Sequence, residues 1–272
     1  LGEKVREFEA KGLKVAALTY DAVPALKHFS DRAGISYPLL SDAGSKTIRA
    51  FGILNDSIPE DNPFHGVPYP GTFIVDAEGR VKSKYFEEDY RERVTAAAIL
   101  LKEFNEGGRQ GTEIETPHLK LRASASNERA YAGSRLTLLL EVELPERMHV
   151  YAPGVMSPYI PISWSLDESK AWETLPVTLP SARTLRMDAI KETVPVFEGR
   201  VKLTRDIVVG QTAATTPALT PDGELTVKGS FRYQACDDKV CYTPRTIPLE
   251  WRIRVNPPDR QRVPAPLRGK LR

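Results

Sequence analysis

Two runs of alternating apolar and polar residues enclose the only two cysteines of the chain, and this arrangement limits the fold more than any other feature. The first run is Leu225-Thr-Val-Lys-Gly-Ser-Phe-Arg-Tyr and the second is Ile247-Pro-Leu-Glu-Trp-Arg-Ile-Arg-Val. Both have the period of two that marks a half-buried strand. Between them lie Cys236 and Cys241, five positions apart. A hairpin turning through Asp237, Asp238, Lys239 and Val240 makes the cysteines its closing pair. Opposed residues of an antiparallel pair have Cα atoms about 4.5–5.5 Å apart, inside the roughly 4.4–6.8 Å that a disulfide requires. Regular pairing outward from the cysteines would set Phe231 against Thr246, yet the alternation puts Phe231 and Tyr233 on one face with Ile247, Leu249 and Trp251. One extra residue reconciles the two, so a β-bulge is expected between Tyr242 and Thr246, with Pro244 suited to it.

Two sulfurs at the tip of a sheet support thiol–disulfide exchange, with Cys236 and Cys241 as the catalytic pair. The alternative is a structural staple, although a bond closing so short a loop removes little chain entropy. A zinc site needs two further ligands, and His28, His65, His118 and His149 are scattered, so no metal is expected. No GxGxxG or Walker-type glycine loop is visible, so no nucleotide or flavin cofactor is expected either. A net charge of +2 is too small for a nucleic-acid footprint. No apolar run approaches the ~18 residues of a membrane span. Around the pair, Asp237 and Asp238 would raise a neighbouring thiol pKa while Lys239 and Arg245 would lower it, and sequence leaves open which sulfur attacks.

At 272 residues the chain is long enough for two domains, and its two parts differ in pattern. Residues 1–107 alternate helix and strand. A helix ending at Gly12 precedes a strand to Thr19; helices run from Asp21 to Gly34 and from Asp42 to Gly52; strands surround a turn at Asp76–Gly79; a last helix spans about Asp89 to Phe104. Leu1 to Phe8 reads as the middle of a helix, so the sequence is expected to begin inside a domain. Residues 108–117 form a Gly-rich polar linker. Residues 118–256 read as all-β, led by the strict alternation of Leu136, Leu138, Leu140, Val142 and Leu144. Residues 257–272 are a Pro/Arg-rich tail without period. The expected fold is an incomplete α/β thioredoxin-like domain followed by an immunoglobulin-like sandwich.

The stretches Gly12-Leu-Lys-Val-Ala-Ala-Leu-Thr-Tyr-Asp, Tyr37-Pro-Leu-Leu-Ser-Asp and Pro68-Tyr-Pro-Gly-Thr-Phe-Ile-Val-Asp-Ala-Glu-Gly carry a resemblance to the AhpC/TSA peroxiredoxin-like branch of the thioredoxin fold. The resemblance makes Pro70 a candidate cis-proline facing a redox centre. The family's central strand and catalytic cysteine have no counterpart in residues 1–107, which contain no cysteine. This half is therefore expected to show no peroxidase activity, and missing upstream sequence is favoured. The strands ending near Thr19 and spanning Thr72–Val75 should not pair directly: they should lie about two strand spacings apart or be joined by a surrogate strand.

The second half resembles the amino-terminal periplasmic domain of the thiol:disulfide interchange protein DsbD. The match lies in Met148-His-Val-Tyr-Ala-Pro-Gly, Val196-Phe-Glu-Gly-Arg-Val-Lys-Leu-Thr-Arg-Asp and the cysteine segment Tyr233-Gln-Ala-Cys to Cys241-Tyr-Thr-Pro-Arg-Thr-Ile-Pro-Leu. The resemblance implies a redox relay between a membrane electron donor or thioredoxin-like partner and further acceptors, in an extracytoplasmic space such as the bacterial periplasm. It implies that Phe197 caps the cysteine pair, that Tyr151 flanks it, and that Cys241 is the attacking sulfur. Two departures stand out: only four residues separate the cysteines, one fewer than the family pattern, and Pro195 and Val196 replace acidic residues expected before the cap aromatic. Two other functions remain open: a binding module with a structural disulfide, or a peroxidase whose catalytic cysteine lies upstream of Leu1.

Overall fold

The computed structural model describes every residue except 63, 87, 88, 90, 107–110, 188–191, 238, 259, 260, 262, 263 and 265–272. Part of the expected linker, Asp238 and most of the expected tail thus lie outside the described residues. The chain divides into two compact units, Leu1–Leu100 with Pro258–Arg272, and Leu101–Pro257.

In the first unit, α1 (Val5–Ala10) buries Val5 and Phe8. Next come β1 (Ala17–Thr19), α2 (Val23–Ala33), β2 (Leu39–Ser41) and α3 (Lys46–Ala50). Gly34 ends α2 at φ 61, a left-handed cap that a side chain would disfavour. The Asp42 carboxylate accepts the Ile48 N–H at 2.8 Å and so fixes the turn leading into α3. After a long loop, β3 (Gly71–Val75) and β4 (Val81–Phe86) form a hairpin whose turn is tied by Asp76, which accepts the N–H groups of Glu78 and Arg80. β5 (Arg93–Val94) follows, and α4 (Ala96–Phe104) runs on from this unit into the second, which begins at Leu101. The last helix thus starts at Ala96, seven residues later than the sequence pattern suggests. The Thr95 hydroxyl accepts the Ala98 N–H at 3.2 Å and caps it there.

β1 pairs with β2 in parallel and β3 with β4 antiparallel, as two separate sheets. Among the described residues no ladder joins β1 to β3, in keeping with a thioredoxin-like order lacking its central strand. Leu18 and Leu40, opposed in the β1/β2 register, remain 37% and 47% exposed on a face that parallel pairs usually cover. Pro70 requires a correction: its peptide bond is trans, and the cis bond among the described residues is Ser157–Pro158. The Tyr69 N–H donates to the Ile53 carbonyl at 2.7 Å and Leu54 bridges Pro68, holding the run extended into β3 without a cis bend.

The second unit is built of strands. β6 (Gly111–Glu115), β7 (Lys120–Ala125), β8 (Arg129–Ala130), β9 (Ser134–Glu143), β10 (His149–Tyr151) and β11 (Ser163–Leu166) come first. β12 (Trp172–Thr178), β13 (Arg183–Met187), β14 (Glu192–Glu198) and β15 (Arg200–Val209) follow. After the short helix α5 (Thr212–Thr215) come β16 (Glu224–Tyr233), β17 (Ala235–Cys236) and β18 (Arg245–Val255). One sheet runs β12-β15-β9-β7-β6, a second β11-β16-β18-β8, and a third β13-β14-β10-β17. Leu136, Leu138, Leu140 and Val142 of β9 meet Leu225, Val227, Phe231, Leu249, Trp251 and Ile253 in one buried core, an immunoglobulin-like sandwich. Gly229 is required where β11 pairs with β16, because a Cβ there would stand 2.2 Å from the Ser165 carbonyl oxygen.

The expected one-residue offset is present. Tyr233 opposes Arg245 and Phe231 opposes Ile247, whereas Cys236 opposes Cys241. The extra residue falls between Tyr242 and Arg245, where Pro244 lies. It keeps Phe231, Tyr233, Ile247 and Trp251 together in the core while leaving the cysteines face to face.

Candidate functional site: the Cys236–Cys241 disulfide

At the end of β16 the chain leaves one sheet for another. Ala235 and Cys236 pair with Val150 and His149 of β10, placing the disulfide at the edge of the third sheet. Alternation then sorts the side chains. Tyr233 and Ala235 face the main core, while Cys236 turns to the opposite side and joins Tyr151, Val194 and Val196, with Val155, Tyr159 and Leu185 packed around them. Cys236 and Cys241 are bonded, with Cα atoms 4.0 Å apart. Their exposure is unequal: Cys236 is 1% exposed, whereas Cys241 lies in the open.

Tyr151 is in polar contact with both sulfurs. Its hydroxyl stands 3.3 Å from Cys241 Sγ and 3.4 Å from Cys236 Sγ. Neither sulfur of a disulfide carries a proton, so the phenol O–H is the donor. Burial, reinforced by the charge of Glu192, holds the Tyr151 pKa above its ordinary value, so the hydroxyl keeps its proton at neutral pH. The Tyr151 ring packs edge-on to His149 at 5.5 Å and tilted against Tyr159 at 4.7 Å. His149 lies directly opposite Cys236 on one side and Glu198 on the other.

The tip itself is held by Asp237. Its carboxylate accepts the Lys239 and Val240 N–H groups at 2.7 and 2.8 Å and the Tyr242 hydroxyl at 2.8 Å. These bonds, led by the Lys239 amide, hold its carboxyl below the ordinary range. The Tyr242 ring stacks on His118 at 4.4 Å. Burial, with Arg245 adding to it, lowers the His118 pKa, so the ring is neutral at pH 7. Gln234 bridges the other side: its amide donates to the Tyr242 carbonyl at 3.2 Å and accepts the Ile160 N–H at 3.3 Å. The loop therefore has several ties besides the disulfide.

Of the residues singled out in the sequence, Cys236, Cys241 and Tyr151 come together here. Phe197 does not, which corrects its reading as a cap. Val196 opposes Tyr151 and faces the disulfide side, so its neighbour Phe197 opposes Val150 and points into the main core, 4% exposed. Pro70 belongs to the other compact unit. Tyr159, Glu192, Gln234 and Tyr242 were not singled out, and His149 was weighed only as a metal ligand, although its place two positions before Tyr151 on a strand carried a readable signal. Among the described residues no three His, Cys, Asp or Glu side chains converge as a metal site, and no helix is long and apolar enough to cross a membrane.

The geometry defines an immunoglobulin-like sandwich with a half-buried edge disulfide, accompanied by a thioredoxin-like unit. Comparison with known proteins gives the same two parts: residues 1–84 match the AhpC/TSA family, and residues 121–249 match the amino-terminal region of the thiol:disulfide interchange protein DsbD. A putative peroxiredoxin of Mycobacterium tuberculosis (strain ATCC 25618 / H37Rv) is 29% identical over 79 residues, 29% of this chain and 50% of that protein. The thiol-disulfide oxidoreductase ResA of Bacillus anthracis is 25% identical over 95 residues, 35% of this chain and 47% of its own length. The chain thus spans about half the length of the curated relatives it matches. Among solved structures, the N-terminal periplasmic domain of ScsB from Proteus mirabilis aligns at TM-score 0.35 and 14% identity, over 52% of this chain and 49% of that one. The reduced DsbD N-terminal domain of Neisseria meningitidis aligns at TM-score 0.30 and 13% identity, over 42% of this chain and 74% of that one.

Proposed function

We propose that the second unit performs thiol–disulfide exchange through Cys236 and Cys241, as a redox relay serving a thioredoxin-like protein or a membrane electron donor in an extracytoplasmic compartment. The observation that carries this reading is the asymmetry of the pair: one cysteine exposed, the other buried, and a phenol O–H within reach of both sulfurs. A partner thiolate attacks Cys241 Sγ in line with the S–S bond. A partner–Cys241 bond forms, the Cys236–Cys241 bond breaks, and its electron pair leaves on Cys236 as a thiolate that accepts the Tyr151 hydrogen bond. A second partner thiolate then attacks the partner sulfur of the mixed disulfide. The partner leaves oxidised, Cys241 leaves as a thiolate, and both sulfurs take protons from solvent. Reversing the steps oxidises the pair.

The matches of residues 1–84 and 121–249 to two redox families support this reading. Residues 1–107 contain no cysteine, so exchange is assigned to the sandwich. A trapping experiment tests the assignment. In Cys236→Ser the Cys241 thiolate has no internal resolving thiol; offered a thioredoxin whose resolving cysteine is replaced by serine and whose remaining cysteine is held as its thionitrobenzoate mixed disulfide, it should displace thionitrobenzoate and accumulate as the Cys241–thioredoxin disulfide. Cys241→Ser, with its remaining sulfur buried, should not. Equal trapping by both variants, or by neither, would overturn it.

A further inference from the structure

We propose that Tyr159, anchored by Glu192, is a positioning residue for exchange at the disulfide: it holds Tyr151 so that its hydroxyl stays on the sulfurs. The inference rests on the redox reading above and extends it to two residues that touch neither cysteine. Tyr159 lies in the loop between β10 and β11, and its hydroxyl donates to Glu192 Oε2 at 2.5 Å, at the start of β14. Its ring lies 4.7 Å from that of Tyr151. Disulfide, Tyr151, Tyr159 and Glu192 thus form one continuous series of contacts, from a buried sulfur to an exposed carboxylate.

Tyr151 has its own ring fixed in the β10 strand, but its hydroxyl must meet two sulfurs whose separation grows once the bond is cut. A phenol that swings by an ångström loses a hydrogen bond. The Tyr159 ring blocks that swing on the loop side, and the Glu192 bond fixes the Tyr159 ring in turn. His149 flanks Tyr151 on the same strand face, Val196 opposes it across the ladder, and Val155 and Leu185 pack against the same cluster; to these Tyr159 adds an aromatic ring that is itself tied to the start of β14. Among the described residues, the groups facing Tyr151 that carry or can acquire charge are His149, Tyr159, Glu192, Cys236 and Cys241. The Glu192 bond, with burial second, pushes the Tyr159 pKa up to about 12, so the Tyr159 hydroxyl keeps the proton it donates.

Glu192 could instead act on the sulfurs through its charge, and the two roles have opposite signs. A nearby negative charge disfavours a thiolate, so removing it would lower the Cys236 thiol pKa. Removing an anchor loosens the Tyr151 bond and raises that pKa. The test uses Cys241→Ser as host, so that Cys236 is the one thiol. Its titration is followed by NMR of labelled cysteine Cβ, and the rate of reduction by dithiothreitol is measured in the otherwise unaltered disulfide protein. Tyr159→Phe keeps the ring and deletes the anchor, and Glu192→Ala deletes the acceptor.

Both substitutions should raise the Cys236 thiol pKa and slow reduction by about threefold, the loss expected for a weakened charge-assisted hydrogen bond. In a Tyr151→Phe background both effects should vanish, because nothing remains to be positioned. An unshifted titration, a lowered pKa in Glu192→Ala, or the same loss persisting in the Tyr151→Phe background would overturn the proposal. A merely structural role would lower the melting temperature of the oxidised protein without moving the titration. The titration reads positioning even where wild type fails to exchange with any partner, so failure of the redox reading and failure of this one are separate results.

Discussion

Replacing Tyr151 by Phe removes one oxygen from a ring that is 1% exposed and leaves its packing in place. That oxygen stands 3.3 and 3.4 Å from the two sulfurs. In the oxidised state it makes a weak contact to neutral sulfur. In the reduced state it donates to a thiolate, and hydrogen bonds to charged groups contribute about 1.5–3 kcal/mol. One pKa unit corresponds to about 1.4 kcal/mol, so the Cys236 thiol pKa should rise by about 1–2 units in the variant. When a thiolate attacks Cys241, the charge arriving on Cys236 is roughly half developed in the transition state, so the rate should fall by about 3–10-fold. Stopped-flow reduction of the oxidised protein by dithiothreitol at fixed pH gives the rate, and NMR of labelled cysteine in the Cys241→Ser host gives the pKa. Melting temperature should change little, since the ring stays. An unchanged rate together with an unchanged pKa would refute the assignment of Tyr151 as the donor to the leaving sulfur.

Asp206 offers a test of the sandwich independent of the site. It is 8% exposed and accepts hydrogen bonds from Thr137 at 2.6 Å, Lys102 at 2.5 Å and Arg135 at 2.9 Å. Burial alone would raise its pKa, but the bonds from Lys102 and Thr137 outweigh it and hold the carboxyl below its ordinary value. Its contribution is therefore complete above the ordinary carboxylate pKa and lost as pH falls through the depressed one. Asp206→Asn should destabilise by about 3 kcal/mol at pH 7 and flatten the acid side of the stability profile in denaturant titrations, and a variant as acid-sensitive as wild type would contradict this. Gly229→Ala forces a methyl to within 2.2 Å of the Ser165 carbonyl and should destabilise by about 1–3 kcal/mol, whereas an unchanged denaturation midpoint would show that β11 can move aside.

The hairpin was legible because both of its strands have one face in the core, so alternation fixes which residues face each other. The bulge near Pro244 followed from the same alternation, as the cysteine pairing and the core face disagreed by one residue. Phe197 was misplaced for the complementary reason. Val194, Val196 and Phe197 are all buried, the first two with the disulfide cluster and the third in the main core, so hydrophobicity carries no parity there. The helix expected from about Asp89 begins later, because Arg93 and Val94 form a strand and the cap at Thr95 sets the start. Tyr159 and Glu192 are 33 residues apart and meet through the fold, which no local pattern encodes.

The reduction potential of the Cys236–Cys241 pair tests the redox reading most directly. It can be measured by equilibrating the full chain with dithiothreitol or glutathione buffers and counting free thiols after acid quench. An exchanging pair should give a potential well above about −300 mV, in the range of dithiol oxidoreductases. A value below about −300 mV would make the bond a structural staple and contradict exchange as the function of this site.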